Sequence, residues 1–124
     1  WHKKIVQTAH SAGKPAILHS CGNLKNVMED MIEDMKYDAK HSYEDKIMPV
    51  EDFYEKYNPR IAVLGGIDVN FVCHSTPEEI KKRSRAMIER AQDRGGYALG
   101  TGNSVPEYVP IENYLAMISV ISGT

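Results

Sequence analysis

Apolar positions along the chain alternate between two patterns: residues spaced three and four apart, and short unbroken runs that end in polar or glycine-rich segments. Ile5, Val6, Ala9 and Ala12 have helical spacing, and Gly13 with Pro15 stops that helix. Pro15, Ala16, Ile17, Leu18 and His19 predict a buried strand emptying into Ser20, Cys21, Gly22 and Asn23. Leu24, Val27, Met28, Met31, Ile32 and Met35 then predict one wide apolar stripe on a helix over 24–35, with the methionines as core. Residues 37–43 alternate weakly, and a second strand is placed there because one is due between two helices. Pro49 opens a helix over 50–57 that Asn58 and Pro59 close. The continuous apolar run over 60–66, ended by glycines, is the clearest strand, and Thr76-Pro77-Glu78-Glu79 is a capping box. Ile80, Ser84, Met87, Ile88 and Ala91 form the inner face of the helix it starts. A fourth strand begins at Tyr97, and Pro110 opens a last helix with Ile111, Tyr114, Leu115, Ile118 and Ile121 expected to face inward.

The order is a helix followed by four strand-helix units, which implies right-handed crossovers and a parallel sheet in one α/β domain over 1–124. Four units make either a small open doubly wound domain or half of a (β/α)8 TIM-type barrel. The first residues, Trp1-His2-Lys3-Lys4-Ile5-Val6, read as the inside of an amphipathic helix, and a fragment of a longer protein is expected. Composition adds exclusions. With 42% hydrophobic and 26% charged residues over 124 positions, the chain has the make-up of a globular domain rather than a disordered one. A net charge of -2 with interleaved signs offers no basic stripe, so nucleic acid is not an expected partner. No apolar run approaches bilayer length, so no membrane partner is expected and a cytoplasmic location is. Cys21 and Cys73 are expected to be reduced thiols.

In parallel α/β folds ligands bind beyond the carboxyl ends of the strands. The segments at those ends are 19–23, 41–44, 65–68 and 100–104. His19 and Cys21, two apart in extended chain, point to one side and offer the imidazole nitrogen and thiolate sulfur that Zn2+ prefers. The same spacing also fits a buried cysteine beside a hydrogen-bonded histidine. His41, Glu44 and Asp68 are candidate acids, bases or further ligands. Either Lys40 and Ser42 or His41 and Tyr43 face the pocket, and Cys73-His74 reads as loop. Gly66, Thr101, Gly102, Asn103 and Ser104 are candidate substrate contacts, since glycines let backbone approach a ligand and Ser104 adds a hydroxyl. No P-loop pattern is present.

The order of 15–23, Leu64-Gly65-Gly66-Ile67-Asp68, Thr76-Pro77-Glu78-Glu79-Ile80, Gly100-Thr101-Gly102-Asn103-Ser104 and Pro110-Ile111-Glu112-Asn113 resembles the uroporphyrinogen decarboxylase superfamily. The likeness covers essentially the whole chain and corresponds to the carboxy-terminal part of that superfamily's barrel. His19-Ser20-Cys21-Gly22 is similar to the corrinoid-dependent methyltransferase branch, which implies zinc on His19 and Cys21. There, the metal activates a thiol that accepts a methyl group from a corrinoid carried by a partner protein. Those methyltransferases usually add a cysteine from the final G-x-G loop and decarboxylases a histidine, whereas this chain has Thr101 there. Asn103 or Asp68 is then a substitute polar contact, and Glu44, His41 or Cys73 a further metal ligand.

The resemblance implies an enzyme as the parent protein: a methyltransferase acting on a small-molecule thiol, with the fragment alone inactive. The alternative is a decarboxylase (lyase) acting on a tetrapyrrole in porphyrin synthesis, which would call for arginines lining the pocket. Arg60, Arg83, Arg85, Arg90 and Arg94 fall instead on helices or a strand start. A non-catalytic α/β binding domain is the third reading. Half a barrel leaves strand edges and the lumen side bare, so self-association is expected.

Overall fold

The computed structural model describes residues 1–122. In chain order it contains α1 (His2–Ser11), β1 (Ile17–His19), a π-helical turn (Asp30–Asp34), β2 (Ala39–His41), α2 (Val50–Tyr57), β3 (Ala62–Leu64), α3 (Val69–His74), α4 (Pro77–Ala91), β4 (Tyr97–Ala98) and α5 (Ile111–Ser122). The strands form one parallel sheet in the order β1-β2-β3-β4. Strand-helix units of this kind in sequential parallel order are those of a TIM-type barrel wall.

Register assigns each strand residue to a face. Leu18 pairs with Lys40, Lys40 with Val63 and Val63 with Tyr97, so these four share the face that the helices cover. Leu18 and Val63 join Val6, Met28, Met31, Ile32, Phe53, Tyr54 and Met87 in the main core. The other face carries Ile17, 54% exposed, together with His19, His41 and Ala98. A second cluster of Ile67, Val72, Ile80, Val109 and Met117 packs α3, α4 and α5 together beyond the end of β3.

Three local expectations change. The stripe over 24–35 does not form one α-helix: its later half is π-helical, with the Met35 amide donating to the Asp30 carbonyl at 2.8 Å. The wider turn brings Met28, Met31 and Ile32 into the core and leaves Val27 partly exposed. Cys73 and His74 lie in α3, whose first turn Asp68 caps, and not in loop. The third change is the face of α5. Ile111, Leu115, Ile118 and Ile121 point outward, whereas Asn113, Ala116 and Met117 are buried. Asn113 decides this, because its Nδ2 donates to the Val72 carbonyl at 2.8 Å and the Ser75 carbonyl at 3.1 Å. Those acceptors would otherwise be open carbonyls at the end of α3.

Ion pairs hold the loop after β2 against the helical layer. Arg83 of α4 donates to Asp45 at 2.7 and 2.8 Å and to Glu51 at 2.7 and 3.0 Å. Burial alone would raise the Glu51 carboxyl, but the Arg83 hydrogen bonds and charge outweigh it and hold Glu51 below the ordinary range. Asp38 is also lowered, chiefly by the Ala16 amide and then by His10. A depressed carboxylate contributes stability that is complete above its unfolded value and is lost as pH falls through its folded value. Stability should therefore be flat from neutral pH to about 5 and fall as the pH drops below the ordinary glutamate value of 4.5. Arg83→Met should cost about 1–3 kcal/mol at pH 7 and flatten that acid dependence, as urea unfolding measured across pH will report.

Candidate functional site

The parallel pairing sets His19 of β1 directly beside His41 of β2 at the carboxyl ends of the strands. Their rings lie 4.8 Å apart, and the two Nδ1 atoms are 2.8 Å from each other. His41 Nε2 lies 3.1 Å from the Thr101 carbonyl oxygen. With both rings neutral, these contacts assign the tautomers by elimination. A carbonyl only accepts, so His41 carries its hydrogen on Nε2 and offers the Nδ1 lone pair. His19 must then donate from Nδ1, which leaves its Nε2 as a lone pair. That nitrogen is 3.9 Å from Cys21 Sγ.

The sulfur receives two further contacts. Ser42 Oγ donates to it from 3.3 Å and Asn103 Nδ2 from 3.5 Å. Cys21 is thus met by the last residue of β1 and by residues that follow β2 and β4, and Gly22, at φ +90°, turns the chain away behind it. In the last loop the side chain that reaches Cys21 belongs to Asn103. Thr101 is turned within its own loop, its hydroxyl donating to the Asn103 carbonyl at 2.7 Å, and it takes part through its backbone carbonyl. Both Thr101 and Asn103 are candidate contacts in the sequence, and Asn103 is the one whose side chain reaches the sulfur. Gly65 permits the close approach that the His41 contact needs. A Cβ there would stand 2.3 Å from the Thr101 oxygen and 3.1 Å from the His41 ring, at a φ of +75°. Gly102 is as restricted, since its Cβ would meet the Tyr43 carbonyl oxygen at 2.3 Å. Gly66 is buried against Val50, where α2 begins.

Asp68 is buried, and both its oxygens are engaged by backbone: Oδ1 accepts from the Phe71 amide at 3.1 Å and Oδ2 from the Asp45 amide at 2.8 Å. It clamps the loop after β2 to the start of α3. Glu44 is exposed and lines an open hollow of about 920 Å³ with Asp68, Asn103, Ser104 and Cys73. Asn103 therefore joins two places, since it lines this hollow and donates to Cys21. His19, Cys21 and His41 come together in the structure, whereas Glu44, Asp68 and Ser104 gather around the hollow beside them.

The sequence left two alternatives, Lys40 with Ser42 or His41 with Tyr43, and the structure takes Ser42 from the first and His41 from the second. His41 proves to face the site and Lys40 the helices. Burial pulls the Lys40 ammonium down to about 8, against the opposing influence of the nearby Cys21 sulfur.

As a metal site, the pair can be tested against coordination geometry. An imidazole nitrogen and a thiolate sulfur on one tetrahedral zinc stand roughly 3.5 Å apart, given bonds of roughly 2.0 and 2.3 Å. The observed 3.9 Å needs a closure of a few tenths of an ångström, and the free lone pair of His19 Nε2 has the right character. Among the described residues no third His, Cys, Asp or Glu joins them in a group that could hold a metal ion.

Comparison with known proteins agrees with this architecture. A methyltransferase from Methanosarcina mazei has a similar structure, with a TM-score of 0.72 at 20% sequence identity, over 98% of this chain and 35% of the other. That identity shows the fold alone, and the chain spans about a third of the length of that protein. No curated protein matches the sequence. The family model described as uroporphyrinogen decarboxylase (URO-D) matches residues 1–123, and the chain belongs to that family.

Proposed function

We propose that this chain is the carboxy-terminal part of a methyltransferase-type barrel, in which His19 Nε2 and Cys21 Sγ hold zinc and an acceptor thiol receives a methyl group from a corrinoid on a partner protein. The observation that carries the reading is the 3.9 Å approach of Cys21 Sγ to the one imidazole nitrogen that the His41-Thr101 contacts leave as a lone pair. When bound, zinc supplies a Lewis acid that keeps a thiol in its reactive, deprotonated form at neutral pH.

The chain's own residues prepare that position. The Thr101 carbonyl fixes His41, and His41 in turn fixes the orientation and tautomer of His19, as an outer partner does for a metal-binding imidazole. Ser42 and Asn103 hold the sulfur from two sides. The neighbouring hollow, with Glu44, Asn103 and Ser104 on its wall, is the space open to the thiol substrate. Catalytic zinc sites usually have three protein ligands, so one more is required beyond this pair, and the fragment alone is expected to be inactive.

The arginines favour this reading over decarboxylation of a tetrapyrrole. A polyacidic substrate needs free cations in the pocket, but Arg60 pairs with Glu29 and Glu33, Arg83 with Asp45 and Glu51, and Arg90 and Arg94 with Glu55, while Arg85 lies exposed on α4. All these pairs lie in the helical layer or its connections and not at His19 and Cys21.

The reduced full-length protein, which supplies the remaining ligand, should retain about one zinc ion per chain after excess metal is removed, and Cys21→Ser in it should weaken binding more than about tenfold. Absence of retained zinc in the wild-type protein, or equal retention in the variant, contradicts the proposal. The uncovered face with Ile17 and the outward stripe of Ile111, Leu115, Ile118 and Ile121 leads us to expect self-association. Sedimentation at micromolar concentration should show dimers or larger species, and a strictly monomeric boundary would refute this.

A further inference from the structure

Lys40 is on the opposite side of β2 from the histidine pair, and its side chain is 4% exposed. Its Nζ donates to the Ser42 carbonyl and lies over the rings of Tyr43 and Phe53, at 4.2 and 5.5 Å from their centres. Among the described residues no carboxylate pairs with it, and the Ser42 oxygen is its single hydrogen-bond acceptor. Two of its three N–H groups thus have no protein acceptor. A buried cation in that condition is costly unless an anion joins it, and aromatic faces offset only part of the cost.

The space for such an anion is present. Lys40 lines a cavity of about 70 Å³ bounded by Met28, Met48, Phe53, Tyr57 and Ile47, with Asn23, Lys25 and Glu44 as further polar groups on its wall. That is more than a single water occupies and leaves room for a small organic molecule. Lys25 and Glu44 are exposed and of opposite sign, which leaves Lys40 as the charge that decides the interior. Ser42 and Tyr43 also line it beside Lys40, and the far wall is thioether, aromatic and aliphatic, from Met28, Met48, Phe53, Leu24 and Ile47. An ammonium at one end of an apolar chamber is complementary to a carboxylate with a short hydrocarbon tail.

We propose that this cavity, which adjoins the His19-Cys21 site through Ser42, binds a small monocarboxylic acid, with its carboxylate on Lys40 Nζ and its tail against Met28, Met48 and Phe53. The bound acid would also touch the reactive side of the sheet indirectly. Lys40 holds the carbonyl of Ser42, whose hydroxyl donates to Cys21, so the ligand sits one residue behind the sulfur.

The methionine methyls provide the test, since Met28 and Met48 line the cavity and Met87 and Met117 are buried elsewhere. Protein labelled with 13C at the methionine methyls is titrated with sodium butyrate, with sodium chloride holding ionic strength constant and butyramide as the neutral isostere. The expected result is saturable shifts at Met28 and Met48 with Met87 and Met117 unmoved, and at least about tenfold weaker binding of butyramide. Lys40→Leu, which exchanges a buried charge for an apolar group, should fold and lose the response. Ile47→Trp, which fills the partly exposed side of the cavity and keeps the lysine, should lose it too. No saturable shift up to about 20 mM butyrate, equal response to butyramide, or an unchanged response in both variants overturns the proposal.

Discussion

The in-register parallel pairing of β1 with β2 is the constraint on which the rest of the site depends. It sets Ile17 beside Ala39, Leu18 beside Lys40 and His19 beside His41, and each pair shares one face of the sheet. A shift of one residue in β1 would move His19 to the helix-covered face, and a shift of one in β2 would instead turn Lys40 to the open face and His41 away from His19. Everything beyond the strands inherits this alignment. The isolated bridge of Ile67 with Thr101 brings the last loop within reach of His41, and the narrow passage at Gly65 lets the loop carbonyl arrive there. One register thereby determines which imidazole nitrogen is left as a lone pair beside Cys21.

The two faces of β2 carry opposite electrostatic solutions. On the open face, His19 and His41 satisfy each other and the Thr101 carbonyl without any carboxylate. On the covered face, Lys40 is buried among aromatic rings with a backbone carbonyl as its partner. Most carboxylates nearby are committed elsewhere: Asp45 and Glu51 to Arg83, and Asp68 to the amides of Asp45 and Phe71, while Glu44 is exposed at the rim of the cavity. These contacts tie the loop after β2 to α3 and α4, and its Ser42 reaches Cys21. Ser42 is also the residue that connects the two faces, its carbonyl held by Lys40 and its hydroxyl directed to the sulfur.

Much of this was legible in the sequence, for reasons that particular residues show. The alternation of apolar runs with helical stripes gave the parallel α/β order, and the capping box at Thr76 forms as its residues require. His19 and Cys21 were recognisable because two residues in an extended segment share a side whatever the rest of the fold does. The facing of His41 was not legible, since β2 contributes only Ala39, Lys40 and His41 and its lysine is buried against expectation. The outward face of α5 was likewise hidden. Hydrophobic spacing selected Ile111, Leu115, Ile118 and Ile121, whereas a single buried amide, Asn113, fixed the rotation through the carbonyls of Val72 and Ser75. Asp68 read as a candidate acid because composition shows a carboxylate and not the backbone amides that occupy it.

The alignment makes one specific demand on a single proton. Long-range 15N–1H correlation spectra of the histidine side chains, recorded on metal-free protein at a pH where the rings are neutral, observe it directly. The expected result is His19 protonated on Nδ1, with His41 protonated on Nε2 where it donates to the Thr101 carbonyl. His19 protonated on Nε2 would contradict it, because the nitrogen beside Cys21 would then be a donor with no lone pair for a metal ion.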